Sequence, residues 1–351
     1  MHSNKASNAV LTMVRAKFGR RITVSMLNNM ASLHSVSELA EYLRTNTRFS
    51  NAMEQSGITD WHRGSLEAVL NTADISEIYQ LCNFEKKVGS PVFQIFCMRF
   101  EADEIFKFLR FFFAGRPEEY ILSVLPTAKK TVQIDLDALA QVKSKQQFLK
   151  FLNRYELYRK LANSVRGDEN DFSFMAGFEA NLDRLVYQES CNILKRRFSG
   201  KDLELLLRIV SVRYEITDIQ TIFRAKFMYN ESPDLIKSLL VSEPAYVSKS
   251  TLNRLIQCGQ KEEFLSILSG IKYFKNIKVD EDNLFLSARR QMLAQALNCV
   301  HFSGCCAAVT LAYIDYIEIE RQNIIRIIEG IRYGFEKEQI MNDLIVKQEV
   351  E

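Results

Sequence analysis

Apolar residues recur at three- and four-residue spacing along most of the chain. "SVSELAEYLR" sets Val36, Leu39 and Leu43 on one face, and "LELLLRIVSVRY" and "KQQFLKFLNRYELYRKL" do the same with other residues. Alternating runs are short and rare, and the best strand candidate among them is "KTVQIDL". The pattern predicts an all-α fold. One stretch near the C-terminus, "EIERQNIIRIIEGIRYG", departs from simple amphipathicity. Ile324, Ile327 and Ile331 form an apolar row, yet Glu320 heads that row one turn earlier.

Two other stretches share this frame: "EADEIFKFLRFFFAGRPEEYI" and "EITDIQTIFRAKFMYNESPDLI". Glu101, Glu215 and Glu320 match, followed three residues on by Glu104, Asp218 and Asn323, then by Ile105, Ile219 and Ile324. Phe108, Ile222 and Ile327 continue the row. Each stretch then breaks, at Gly115 to Pro117, at Asn230 to Pro233 and at Gly334, and acidic residues open the next helix. In "NESPDLI", Ser232 is the predicted N-cap, with Pro233 in the first turn.

A second block recurs without gaps as Leu27, Leu136 and Leu252; Met30, Leu139 and Leu255; Leu39, Phe148 and Phe264; Leu43, Leu152 and Leu268. "RRFSGKDL" and "VHFSGCCA" add a third echo. These recurrences predict three helical units of about 110 residues, over 1–121, 122–238 and 239–351, with helices shared at the boundaries. Such a unit is too long for a fine-pitched solenoid. A carboxylate repeated at one place in three units points to helix starts or interhelical contacts. The other reading is a shared surface that meets a partner.

Composition narrows the function classes. With 47% hydrophobic and 25% charged residues the chain has the balance of a globular protein, and five Pro and 13 Gly are few for a loop-rich β architecture. A net charge of +3 supplies no concentrated basic face for nucleic acid. Seven Cys without framework spacing read as reduced thiols. The N-terminus lacks the apolar core of a secretory signal, and no run is long and apolar enough to span a bilayer.

A search for catalytic constellations finds none. His occurs only at 2, 34, 62 and 301. In "CVHFSGCC" the spacing of Cys299, His301, Cys305 and Cys306 does not match a zinc site, and its flanks read as continuous helix. "FSGKDL" lacks the first Gly of a phosphate loop, and no dinucleotide or hydrolase fingerprint occurs. The basic clusters "RAKFGRR" and "KRR" read as solvated helix faces. Trp61 and His62 read as a surface or domain-edge anchor. The expectation is a protein without catalytic residues, cofactor or metal.

The three related helical units, the C-terminal "ERQNIIRIIEG" followed by "GFEKEQI", and the opening "MVRAKFGRRITVSMLNNMASLHSVSELAEYLRTNTRF" together resemble the C-type subunits of bacterial and archaeal V-type ATPases, the counterparts of the eukaryotic d-type subunits. The likeness spans essentially the whole chain. It implies a funnel of three pseudo-equivalent helical domains around a central opening. On that basis the chain is a non-catalytic rotor adaptor between the central-shaft subunits and the membrane proteolipid ring, coupling ATP hydrolysis or synthesis to proton or sodium transport. The resemblance further implies one copy per complex, a monomer in isolation, a peripheral place on the cytoplasmic face of the membrane, and no direct binding of nucleotide or nucleic acid. Glu101, Asp103, Glu215, Asp218, Glu320 and Asn323 are then the partner-interface candidates. Arg110 and Arg224 follow, with Glu329 at their place in the third unit. The competing reading is a cytosolic helical scaffold unrelated to a rotary motor.

Overall fold

A computed structural model of the chain describes residues 2–84, 86–164, 171–242, 247–271, 274 and 284–346. The described secondary structure is helical throughout. The helices form two compact units, and the first is discontinuous in sequence: residues 1–93 with 272–351, and residues 94–271.

The first unit holds α1 (His2–Phe18), α2 (Val24–Met30), α3 (Val36–Asn46), α4 (Ser50–Ser56) and α5 (Arg63–Phe84), and α6 (Lys86–Phe113) starts in it. The second unit takes the rest of α6 and α7 (Pro117–Leu122), α8 (Pro126–Thr131), α9 (Leu136–Ala140), α10 (Lys145–Leu152) and α11 (Glu156–Ser164). It continues through α12 (Asp171–Arg197), α13 (Gly200–Phe227), α14 (Pro233–Leu239), α15 (Lys249–Gln257) and α16 (Lys261–Ser269). The chain then returns to the first unit with α17 (Leu284–Phe302), α18 (Cys306–Tyr333) and α19 (Lys337–Asn342).

The short helices begin where side chains satisfy their first free N–H groups. Thr23, Ser35, Asp135, Ser144, Ser232 and Ser248 each accept from a backbone N–H three residues on. These caps fix the register of the repeated block. Leu27 and Leu252 lie four residues past their caps, and in the middle copy that place belongs to Leu139. The gap-free sequence alignment puts Leu136 there, one turn too early. Past the next cap, Leu39, Phe148 and Phe264 do align. The middle copy is therefore one helical turn shorter between its two caps, and the block is not free of gaps.

In the first unit α18 packs against α1, α3, α5 and α17. Its Ile324, Ile327 and Ile328 join Leu39, Leu43 and Leu70 in one buried cluster, and Trp61 packs partly buried against it. The core of the second unit is largely aromatic. Phe148 stacks on Phe108 at 5.9 Å and meets Phe178 edge-on at 5.2 Å, and Phe223 meets Phe264 at 5.4 Å.

Gly330 shows why one small residue sits inside the Ile-rich C-terminal stretch. A Cβ there would lie 2.5 Å from Cγ1 and 2.8 Å from Cδ1 of Ile340 in α19. Ile340 is itself buried, so the methyl has nowhere to go. Gly330→Ala is expected to cost about 1–2 kcal/mol of stability through overpacking, despite alanine's better helix propensity. A urea midpoint at or above wild type would refute the close-approach account.

Candidate functional site

Glu101, Glu215 and Glu320 perform one local task in three places. Each lies inside a long helix and accepts from the backbone just ahead of a short helix. Glu320 on α18 takes the N–H of Ile22 at 2.7 Å, next to the α2 cap Thr23. Glu101 on α6 takes the N–H groups of Gln133 and of Ile134, the latter at 3.0 Å, next to the α9 cap Asp135. Glu215 on α13 takes the N–H of Val247 at 3.3 Å, next to the α15 cap Ser248. All three carboxylates are buried, Glu320 at 4% exposure. The strand candidate "KTVQIDL" is the segment that Glu101 grips: it runs into the start of α9 without pairing as a strand.

The next position in the frame repeats the task farther along. Asp218 accepts from the N–H groups of Val241 and Ser242 at 2.7 and 2.9 Å, just after α14. Asn323 exchanges two hydrogen bonds with the backbone of Ile345, at 2.8 and 2.9 Å, after α19. The first copy is held more indirectly. Glu104 accepts from the Tyr120 hydroxyl and pairs with Lys107, whose ammonium donates to the Ser123 carbonyl at 2.7 Å after α7. Arginines hold the matching ends of the other two short helices: Arg184 donates to Ser238 and Leu240, and Arg290 to Asn342 and Leu344. Asp103, by contrast, is exposed and out of this register, as Arg110 and Arg224 are exposed on their helices. Glu329 is half-buried and pairs with Arg63 at 2.9 Å.

Each of the three glutamate-bearing helices, α6, α13 and α18, is followed by a residue with positive φ, namely Gly115 (73°), Asn230 (54°) and Gly334 (68°). Beside the second and third of these turns large apolar side chains stand in solvent. Met228 and Tyr229 precede Asn230, Tyr333 and Phe335 flank Gly334, and Leu122 at the end of α7 is 85% exposed.

A cluster around Arg48 on the link from α3 to α4 is less visible in the sequence. Its guanidinium meets Asp74 at 2.7 Å, Glu320 at 2.9 Å and Glu77 at 3.3 Å. The Tyr313 hydroxyl donates to Glu77, Arg321 reaches Asp74 at 3.2 Å, and Lys17 approaches Glu77 at 3.9 Å. Three cations thus face three carboxylates in a mostly buried setting. Burial pushes the Asp74 carboxyl up while Arg48 and Arg321 pull it back, and the three carboxylates hold Arg48 firmly charged against its own desolvation.

In the second unit Asp183 on α12 is pushed up to about 7, first by burial, then by Glu179 and Asp103, with Arg213 opposing. A raised carboxyl contributes stability that is complete below the unfolded value near 3.9 and fades as pH climbs through 7. Asp183→Asn should therefore gain about 4 kcal/mol over wild type at pH 8 and well under about 1 kcal/mol at pH 4. Urea melts at both pH values check this; an equal difference at the two would rule it out.

The thiol cluster sits differently from its sequence reading. α17 stops at Phe302 and α18 starts at Cys306, so "CVHFSGCC" spans a helix–helix turn rather than continuous helix. "RRFSGKDL" occupies the same kind of turn between α12 and α13, where Gly200 has φ of 59°. Burial raises the Cys299 thiol to about 11, which leaves little thiolate at neutral pH. From "RAKFGRR", Arg15 is more than a solvated charge, since it donates to the carbonyls of Val300 and Ser303 at 3.0 and 2.8 Å. Trp61 and His62 precede α5, where His62 and Ser65 exchange hydrogen bonds across its first turn.

Among the described residues no three His, Cys, Asp or Glu side chains converge into a metal-binding group. Among the same residues no helix is long and apolar enough to cross a membrane. No curated protein sequence matches the chain. The family model described as ATP synthase (C/AC39) subunit matches residues 10–343, which include both copies of the pinned long helices in the second unit and the one in the first. The chain belongs to this family, the C/d subunits of V-type ATPases, and so to an accessory component of a rotary ATPase.

Proposed function

We propose that the chain is the non-catalytic rotor adaptor of its V-type ATPase, joining the central-shaft subunits to the proteolipid ring on the cytoplasmic face of the membrane. The observation that carries this reading is the tripled arrangement of long helix and glutamate anchor, with an exposed apolar turn after the second and third of these helices. A torque-bearing part needs segments that do not slide against one another, and each buried carboxylate ties a long helix to the start of another. It also needs repeated contacts for its partners. Met228, Tyr229, Tyr333 and Phe335, with Arg110, Arg224 and Asp103 on the exposed faces, supply apolar and charged groups of the kind that anchor interfaces. The buried acids then serve the interface by holding these turns in place. Three such copies, over 1–121, 122–238 and 239–351, would each bring one anchored long helix to the partners.

The test is detergent recovery of the tagged chain from native membranes, with identification of the accompanying proteins. Co-recovery of shaft subunits and proteolipid supports the adaptor role, and Tyr333→Ser with Phe335→Ser should reduce it without moving the urea midpoint. Recovery of the chain with neither partner would refute the reading.

A further inference from the structure

The distribution of charge marks a second surface in the first unit. Residues 1–37 contain no Asp or Glu, and neither do residues 284–314. The structure brings these acid-free segments together, because α1 packs on both α17 and α18. They meet at the turn after α17. Arg15 donates to the Val300 and Ser303 carbonyls there, and Phe18 meets the His301 ring edge-on at 5.1 Å. Arg21 stacks over Phe18 at 4.6 Å, and Arg20 beside it is exposed. At the apex stands Phe302, 84% exposed, its ring 5.9 Å from His301. The carboxylates on the facing helix do not neutralise this patch. Asp315 and Glu320 are buried beneath it, Glu320 is already bonded to Arg48 and Ile22, and the half-buried Glu318 accepts from Gln322 on its own helix.

We infer that this basic, aromatic-tipped end of the first unit docks on an anionic bilayer surface. Its chemistry asks for two things at once: negative charge for Arg15, Arg20 and Arg21, and a shallow apolar medium for Phe302. A membrane interface bearing acidic headgroups supplies both, with the headgroups meeting the guanidinium groups and the acyl boundary receiving the ring. An acidic protein surface supplies the first without the second. A fixed patch with a single inserted ring binds weakly and reversibly, as suits a contact made alongside others. The inference is independent of the adaptor role, since it concerns the chain alone on lipid.

The experiment is co-sedimentation of the full-length chain with phosphatidylcholine vesicles, with and without phosphatidylserine. Binding is expected only with phosphatidylserine and should weaken as salt rises. Arg20→Glu is expected to lower the partition coefficient about tenfold or more, and Phe302→Ser several-fold. Both side chains are exposed, so unchanged circular dichroism and urea midpoints separate lost binding from lost folding. Equal partition onto neutral and anionic vesicles, or no partition onto either, would overturn the inference. So would salt-sensitive binding that Phe302→Ser leaves intact, which would mark the patch as a site for an acidic protein. Because the assay contains no rotary complex, its failure leaves the membrane pull-down result standing.

Discussion

Alanine at Arg48 is expected to lower the stability of the first unit by about 3–5 kcal/mol. Three nitrogens of one guanidinium reach three carboxylates on two long helices, α5 and α18, at 2.7 to 3.3 Å. Removing it leaves Asp74, Glu77 and Glu320 crowded in a buried space with only Arg321 and Lys17 at the edge. Lysine at 48 keeps the charge but not the fork, so it should recover only part of the loss. Trp61, the one tryptophan, packs against the core of this unit, so its fluorescence in a urea titration follows that unit's unfolding. A loss under about 1 kcal/mol for Arg48→Ala would place the cluster among surface ion pairs of little weight.

Glu101→Ala should cost about 2–4 kcal/mol in the second unit. It strands the N–H groups of Gln133 and Ile134 and the Tyr158 hydroxyl, all of which donate to Glu101. Far-UV circular dichroism in urea is the suitable probe, as Trp61 lies in the other unit. Asp103→Ala and Arg110→Ala, two and nine residues away but exposed, should stay within about 0.5 kcal/mol of wild type. The comparison separates an internal anchor from a partner contact. If Glu101→Ala leaves stability intact and yet abolishes recovery of the rotary partners, the carboxylate is an interface group and its anchoring bonds are incidental.

Much of the architecture is legible in the amino-acid sequence. Helical periodicity marks the all-α class, and the breaks at Gly115, Asn230 and Gly334 fall where positive φ follows each glutamate-bearing helix. The repeated glutamates stand out as a recurring feature because local sequence keeps them in frame with an apolar row. Their partners do not stand out. Ile22, Ile134 and Val247 donate through backbone N–H groups, which every residue type but proline carries and no sequence pattern marks. The register shift at Leu136 has a related origin: a one-turn deletion preserves the apolar face, so periodicity cannot see it, and only the cap at Asp135 does. Arg48 is hidden for another reason. Its three carboxylates come from positions 26, 29 and 272 residues away, and nothing in "TNTRFSN" says that the arginine faces inward. Arg15 reads as a solvated charge on the same grounds, since the carbonyls it caps lie 285 or more residues along the chain.

The bond from Glu320 to Ile22 also bears on how the protein is made. The second unit, residues 94–271, is complete in the nascent chain while the first still lacks α17 to α19. At ordinary elongation rates the helices α1 to α5 wait roughly 10–50 seconds for their partners to leave the ribosome. During that interval Leu39, Leu43 and Leu70 have no α18 to cover them, and Arg48 has no Glu320. The N-terminal quarter is thus the part of the newborn chain that stays uncovered longest, and the emergence of α18 is the event that covers it.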